Sequence, residues 1–146
     1  MATFNTYLNF NGNTEEAFNH YRSVFGGEFA GIMRWKDMPG ACGGDGTVPI
    51  EDQEKIMHMS LPLGGGQVLM GTDALKSTGE VSMGTNFHIV IGPESKEEAD
   101  RFFSALADGG KTTMPLQDTF WGAYYGMLTD RFGVQWMINY ELPKAD

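Results

Sequence analysis

Apolar and polar residues alternate most clearly along residues 134–139, near the C-terminus of the chain. Because successive side chains of a strand point to opposite faces, this alternation predicts a strand with one core face and one more polar face. The residues predicted for the core face are Val134, Trp136 and Ile138. The residues predicted for the other face, where a ligand would bind, are Gln135, Met137 and Asn139. A tight turn at residues 130–133 predicts a hairpin over residues 121–141.

A weaker copy of this hairpin lies upstream. Its two predicted strands, residues 55–61 and 67–73, flank the glycine turn at residues 64–66. Aligning the two hairpins places Leu69 at the position that Met137 occupies in the second one. The chain is therefore predicted to use one structural unit twice.

An amphipathic helix with well-marked ends precedes each hairpin. The first helix is predicted to begin after Asn13, a capping residue with Glu16 three positions later, and to stop at glycines 26–27. The second is predicted to begin after Ser95 and to stop at glycines 109–110. Their first turns and apolar stripes match each other, which supports the prediction of a repeat.

The remaining strands complete two units with the same order of elements. They are predicted at residues 4–10, 28–35, 86–91 and 111–114, the last followed by a turn at residues 115–118. This order predicts an α+β fold of tandem βαβββ modules, at approximately residues 1–75 and 85–146 of a single domain. In the first unit, the loop at residues 36–54 connects the predicted strands at residues 28–35 and 55–61, and it is long enough to be a lid or a binding loop.

Composition narrows the possible partners and the compartment. A formal net charge of −9 argues against nucleic acid and against anionic membrane surfaces as partners, because both attract clustered Lys and Arg. Cys42 is the single cysteine, so no internal disulfide can form, and its glycine-rich surroundings do not indicate a reactive thiol. No signal peptide and no run of about 20 apolar residues are evident, so we expect a cytoplasmic protein.

The tandem pattern resembles the vicinal oxygen chelate superfamily of glyoxalase I, bleomycin-resistance proteins and extradiol dioxygenases, and most closely its PhnB-like branch. The resemblance is carried by residues 7–13, 15–17, 21, 25–27, 55–58, 69–73, 109–110, 121–122 and 130–136. It implies curved mixed sheets around a cavity, as in glyoxalase, and a homodimer. PhnB-like proteins also often carry the label of demethylubiquinone methyltransferases.

The resemblance also implies where a metal would bind. Metal-using members hold a divalent ion with ligands, typically His and Glu, from the first and last strands of each unit. The last-strand positions here are Leu69 and Met137, and neither suits a hard divalent cation. Two alignments of the first strands place there either Asn5 and Asn86 or Thr6 and His88. At most one good ligand remains in either case, so we predict no metal and no cofactor.

His88 and His58 are the candidate catalytic residues. His88 shares strand parity with Asn86 and Val90, which predicts a side chain facing the cavity. There it would act as a general base or hydrogen-bond a ligand, and a structural, hydrogen-bonded histidine is the alternative. The same two interpretations apply to His58 on the strand at residues 55–61. His20 is expected on the exposed surface of the first helix.

Amides, aromatic rings and thioethers supply the candidate ligand contacts. The residues predicted to bind a ligand are Asn5, Tyr7, Trp35, Trp121, Gln135, Met137 and Asn139. Tyr124 and Tyr125 are further candidates for an aromatic wall. The same polar strand faces would also be compatible with solvent or with a dimer contact.

Three hypotheses about function follow. The first is a binding protein that holds a small, partly aromatic molecule in a metal-free cavity. The second is an enzyme, either a lyase or isomerase with a histidine base or the methyltransferase of the family label. A methyltransferase is disfavoured because the glycine run at residues 43–46 does not join a strand to a helix. The third is a structural or regulatory dimer with a vestigial cavity.

Overall fold

A computed structural model describes residues 2–38 and 47–144. Cys42 and the glycine run at 43–46, both discussed above, lie outside these residues. By internal contacts the chain divides into two compact units, Met1–Ser82 and Met83–Asp146. Neither α-helix, each 12 residues long, combines the length and apolar character needed to cross a membrane, and no other helix among the described residues does.

Among the described residues, each unit contains one α-helix and one four-stranded sheet. The elements of the first unit are β1 (Thr6–Phe10), α1 (Thr14–Phe25), β2 (Gly31–Arg34), β3 (Ile56–Gly64) and β4 (Gln67–Asp73). Those of the second are β5 (Ile89–Ile91), α2 (Lys96–Ala107), β6 (Lys111–Asp118), β7 (Ala123–Thr129) and β8 (Gln135–Glu141). Short 3-10 turns at Trp35–Asp37, Ile50–Asp52 and Lys76–Thr78 add to the first unit.

The two sheets share one topology. Sheet 1 has the order β1-β4-β3-β2 and sheet 2 the order β5-β8-β7-β6. In each sheet the first strand of the unit runs parallel to the last, and the other pairs are antiparallel. These mixed sheets confirm the predicted α+β fold of tandem βαβββ modules.

Each helix packs its apolar stripe on one face of its own sheet. A Cβ atom at Gly71 of β4 would lie 2.6 Å from the Phe18 ring of α1. A Cβ atom at Gly126 of β7 would lie 2.9 Å from the Phe103 ring of α2. Counted from these glycines, every second side chain along the strand therefore faces the helix, and the side chains between them face away from it.

The buried core of each sheet follows this parity. Leu69 on β4 and Trp136 and Ile138 on β8 are at most 1% exposed. The prediction that Trp136 belongs to the core is thereby confirmed. Its indole Nε1 donates to Oδ2 of the buried Asp130 at 2.8 Å, which satisfies the one polar atom of the ring.

The cap of α1 differs from the prediction. Asn13 makes no side-chain capping hydrogen bond. Instead the buried carboxylate of Asp73, at the end of β4, accepts hydrogen bonds from the backbone N–H groups of Gly12 and Thr14 and from the Thr14 hydroxyl, at 3.1, 3.0 and 2.6 Å. The cap of α2 is as predicted, since the Ser95 hydroxyl accepts from the Glu98 N–H at 3.0 Å.

Two strand predictions in the second unit are wrong. β5 begins at Ile89 rather than at residue 86, and the Phe87 carbonyl before it accepts a hydrogen bond from the Gln135 side chain instead of a ladder bond. β6 continues to Asp118 instead of turning at Pro115. Because β6 is the edge strand of sheet 2, the missing N–H of Pro115 is tolerated there.

Candidate functional site

Five of the candidate site residues lie on the sheet faces turned away from the helices: Tyr7, His58, Gln135, Met137 and Asn139. In unit 1, Tyr7 on β1 alternates with the buried Leu8 and Phe10, and it is 45% exposed. His58 on β3 precedes the buried Met59, whose Cα partner is the helix-facing Gly71. Tyr7 and His58 therefore share the face of sheet 1 opposite α1.

Tyr7 and His58 are in direct contact on this face. The Tyr7 hydroxyl lies 3.3 Å from His58 Nδ1, and the ring centroids are 5.8 Å apart. Methionines flank the pair, because Met70 is the Cα partner of Tyr7 and Met33 that of His58. A phenol and an imidazole in hydrogen-bond reach can donate to a ligand, accept from it or move a proton.

The fold already uses two other predicted contacts of unit 1. The Asn5 side-chain carbonyl accepts from the Val68 N–H at 3.0 Å, which ties the start of β1 to β4. The Trp35 indole donates to the Asp73 carbonyl at 3.3 Å. Each residue thus has a structural role, and a ligand contact by either one stays a prediction.

In unit 2, three rows of side chains cross β6, β7 and β8 on the face opposite α2. The three rows, each read as Cα partners from β6 through β7 to β8, are Lys111–Thr129–Gln135, Met114–Met127–Met137 and Gln117–Tyr125–Asn139. We call them the lysine row, the methionine row and the tyrosine row. All three methionines are half-buried. The predicted contacts Gln135, Met137 and Asn139 are thus the β8 members of three successive rows.

Trp121 lies beside the tyrosine row. Its ring is 56% exposed and packs edge-on against Tyr125, with the centroids 5.7 Å apart. Tyr124 does not belong to this surface, contrary to the prediction of an aromatic wall. Its hydroxyl donates to the Asp100 carboxylate of α2 at 2.5 Å, because Tyr124 has the helix-facing parity of β7.

A charged cluster surrounds Tyr124 on the α2 side. The hydrogen bond to Asp100 raises the pKa of the Tyr124 phenol to about 12. Lys96 lies 4.7 Å from the centre of the Tyr124 ring and pairs with Asp118 at 2.8 Å. The cluster links α2, β6 and β7, so it belongs to the support of the site and not to its surface.

His88 is placed differently from the prediction. It lies just before β5, which begins at Ile89, so the alternation of faces along a strand does not determine where its side chain points. The imidazole is half-buried. A role for His88 as a base or ligand contact stays a prediction.

The equivalence of Leu69 and Met137 is wrong by one strand position. Leu69 is 1% exposed and faces α1, whereas Met137 lies between the buried Trp136 and Ile138 and faces away from α2. A thioether and an aliphatic core residue do not fit a hard divalent ion at these positions. Among the residues that the structure describes, no three His, Cys, Asp or Glu side chains are grouped to hold a metal.

A separate pocket of about 430 Å³ lies in unit 1 beside the connector that follows β4. The Asn11 amide holds this connector by donating to the Val81 carbonyl at 2.9 Å and accepting from the Val81 N–H at 2.7 Å. Charges of both signs line it, including Glu51 and Lys55. None of the residues predicted from sequence to bind a ligand lines this pocket.

The sequence patterns missed Met114 and Met127, the two other members of the methionine row. Met114 joins the row only because β6 shifts register twice, between Thr112 and Met114 and between Met114 and Gln117. With regular alternation along β6, Lys111 and Gln117 would lie on the opposite face of the sheet from Met114. The high methionine content, 10 of 146 residues, was the available signal.

Comparison with known proteins places this geometry in a family. The family profile described as the Glyoxalase/Bleomycin resistance protein/Dioxygenase superfamily matches residues 3–138. Protein YjdN of Escherichia coli (strain K12) is 34% identical over 140 residues, which cover 91% of each chain.

Solved structures agree. Protein PA1353 from Pseudomonas aeruginosa matches with a TM-score of 0.84 at 38% identity, over 98% of this chain and 100% of that chain. A Bacillus cereus structure described as a putative 3-demethylubiquinone-9 3-methyltransferase, PhnB protein, matches with a TM-score of 0.68 at 28% identity, over 95% of this chain and 99% of that one. These matches confirm the resemblance to PhnB-like proteins and the glyoxalase-like fold. The chain belongs to the Glyoxalase/Bleomycin resistance protein/Dioxygenase superfamily.

Proposed function

We propose that this protein binds a small, partly aromatic molecule on the sheet faces opposite its helices, without a divalent metal. The methionine row carries this proposal. Met127 has Met114 and Met137 as Cα partners on its two neighbouring strands. The family resemblance aligns Met137 with the position at which metal-using relatives are expected to place a carboxylate. Thioethers adapt their shape to apolar and aromatic surfaces, so this face favours an organic ligand over a hard ion.

A ligand screen by thermal shift tests the proposal on protein stripped of metal with EDTA. A compound at 100 times its Kd stabilises the folded state by about 2.7 kcal/mol, which corresponds to roughly 5–10 °C in Tm. We expect stabilisation by aromatic and amphiphilic compounds, and no further gain when Zn²⁺, Ni²⁺ or Fe²⁺ is restored. The proposal is wrong if no compound raises Tm, or if stabilisation requires an added metal.

The contact between Tyr7 and His58 favours a second candidate, an enzyme that abstracts a proton from its ligand. A lyase or isomerase of this kind would exchange a C–H hydrogen of the bound molecule with solvent. Any stabilising compound from the screen is therefore incubated with the protein in D₂O, and deuterium uptake is followed by mass spectrometry. Uptake that is lost in His58→Asn and kept in His20→Asn would support the enzyme. If no deuterium is taken up, the enzyme is excluded and the binding protein remains as the proposed function.

A methyltransferase is not supported by the described strands and helices. A methyl-donor site usually lies at a glycine-rich turn from strand to helix in a parallel sheet, and each sheet here is mixed. We expect no heat on calorimetric titration with S-adenosylmethionine. Binding in the micromolar range would overturn this expectation.

A homodimer in the cytoplasm is the assembly and location that we propose. Large apolar side chains on the surface support the dimer, among them Phe87, Val90 and Phe120, which are 57, 58 and 98% exposed. Light scattering coupled to size exclusion is expected to give twice the 16.1 kDa chain mass. A mass of one chain at micromolar concentration would contradict the dimer.

A further inference from the structure

The order of the three rows on sheet 2 carries information about the ligand beyond its aromatic character. Thr129, Met127 and Tyr125 are alternate residues of β7, so they mark successive rows on one face. A strand rises about 3.4 Å per residue, which places the lysine and tyrosine rows about 13–14 Å apart with the methionine row between them. Adjacent strands are about 4.8 Å apart, so each row is roughly 10 Å wide. The surface therefore has the area of a two-ring molecule.

The rows differ in chemistry. The lysine row ends in the exposed ammonium of Lys111 and includes Gln135, whose amide nitrogen is fixed by its hydrogen bond to the Phe87 carbonyl. The tyrosine row offers a phenol and two amides, on Tyr125, Asn139 and Gln117. Between them the methionine row presents three thioethers and no strong hydrogen-bonding group. One end of this surface favours an anionic or accepting group, and the other favours a neutral hydrogen-bonding group.

The two register shifts of β6 show that this order depends on specific backbone irregularities. Lys111, Met114 and Gln117 are three residues apart on β6, yet they pair with residues two apart on β7. Two extra residues are absorbed between them, and such bulges redirect side chains at the edges of sheets. Without the bulges, β6 would not contribute one residue to each row.

We infer that this surface binds a flat, two-ring molecule whose apolar centre lies on the methionine row, with a carboxylate or carbonyl toward Lys111 and a hydroxyl or amide toward the tyrosine row. The inference rests on the proposed function and specifies the ligand class of the same site. The long axis of the molecule runs along the strands, from one polar row to the other.

Four probes test the order of the rows by calorimetry. The matching probe is 4'-hydroxybiphenyl-4-carboxylate, and the others remove one feature each: biphenyl-4-carboxylate, 4,4'-dihydroxybiphenyl and the one-ring 4-hydroxybenzoate. A hydrogen bond contributes about 0.5–1.5 kcal/mol, so each lost end group should weaken binding roughly 2- to 10-fold. We expect the matching probe to bind most tightly.

Charge and apolar variants assign the ends and the centre. Lys111→Gln should weaken the carboxylate probes about 3- to 5-fold and leave 4,4'-dihydroxybiphenyl unchanged, because an exposed charge contributes up to about 1 kcal/mol. The control Lys76→Gln removes a charge that is also exposed, in unit 1 and away from the three rows, and should change nothing. Asn139→Ala should weaken only the probes that carry a hydroxyl group. Met127→Leu should bind within about 3-fold of the wild type, whereas Met127→Lys should abolish binding.

Methionine methyl NMR supplies a readout that does not depend on the folding of Met127→Lys. In ¹³C-methyl-methionine protein, saturating probe should shift the signals of Met114, Met127 and Met137, each assigned by its Met→Leu variant. If the matching probe binds without shifting these signals, or Lys111→Gln and Lys76→Gln behave alike, the inference is overturned and the proposed function stands. The same holds if other aromatic compounds raise Tm and the matching probe does not bind. If no compound raises Tm, the proposed function itself fails.

Discussion

At the scale of single residues, two buried aspartates each accept several hydrogen bonds near one end of the last strand of their unit. Asp73 accepts hydrogen bonds from Gly12, Thr14 and Ile56, and so connects β4 to the start of α1 and to β3. Asp130 accepts from the backbone N–H groups of Phe132 and Val134 within the turn between β7 and β8. A carboxylate suits both places because its oxygens only accept, and the N–H and O–H groups bound to it are donors.

Replacing Asp73 by Asn is expected to lower the free energy of unfolding by about 2–4 kcal/mol. The amide nitrogen of Asn donates, so at least one backbone N–H loses its acceptor in a buried site. Urea unfolding followed by circular dichroism measures the effect. The control Asp108→Asn changes an exposed carboxylate and should shift the unfolding free energy by less than about 0.5 kcal/mol. Equal effects of the two variants would contradict the role of Asp73.

The Tyr124 hydroxyl gives a pH-dependent prediction. Its folded-state pKa is raised from 10.0 to about 12 by the hydrogen bond to Asp100. A raised folded-state pKa stabilises the fold at pH values below 10, and this contribution is lost as the pH rises from 10 through 12. The absorbance difference at 295 nm between wild type and Tyr124→Phe should therefore titrate near 12. In an Asp100→Asn background the same difference should titrate at lower pH, and an unchanged midpoint would exclude the proposed cause.

At the scale of elements, the apolar periodicity was sufficient to predict both helices and the two hairpins, and with them the tandem fold. Periodicity did not predict what long-range contacts decide. The cap of α1 comes from Asp73, far along the chain, whose carboxylate accepts from the Thr14 N–H, whereas Asn13 makes no side-chain capping hydrogen bond. The length of β6 and its two register shifts depend on pairing with β7, which local sequence does not encode.

The candidate site was therefore predicted in part. Strand alternation placed Gln135, Met137 and Asn139 on one face, and the structure gives each of them a separate row. Of the other row members, the sequence singled out only Tyr125, because register cannot be derived from alternation where bulges intervene.

Packing between α2, β6 and β7 gives a prediction at the same scale. A Cβ atom at Gly126 would lie 2.9 Å from Phe103 and 3.0 Å from backbone atoms of Met114 and Leu116. Gly126→Ala should therefore lower the unfolding free energy by about 1–3 kcal/mol and weaken ligand binding, since the helix and the edge strand must separate. Urea unfolding checks the first effect. Gly84→Ala, where the nearest atom would be 3.4 Å away, is the control and should be nearly neutral.

At the scale of the whole molecule, two units with one topology carry different chemistry on the faces opposite their helices. Unit 1 presents the Tyr7 and His58 pair, and unit 2 presents the three rows. Among the residues that the structure describes, neither face groups the His, Asp and Glu side chains that would hold a divalent ion. A shared fold thus leaves the binding chemistry to the side chains of each unit.

Metal analysis of the intact protein, purified without chelator, tests the prediction that it holds no divalent metal ion. We expect Zn, Ni and Fe each well below one ion per chain, because Met137 carries no oxygen or nitrogen ligand and, among the described residues, no three His, Cys, Asp or Glu side chains are grouped to hold a metal. Inductively coupled plasma mass spectrometry provides the measurement. A stoichiometric metal that persists in His58→Asn and is lost in His88→Asn would show that His88 belongs to a metal site after all.

The irregular edge strand of sheet 2 has a consequence for how such proteins diversify. β6 has a paired neighbour, β7, on one side only within its sheet. The gain or loss of one codon near Thr112 or Pro115 would exchange the residues that β6 offers to a bound molecule, while β7 and β8 keep their pairing. New recognition properties can then arise from small insertions and deletions at the rim, with the interior of the unit left intact.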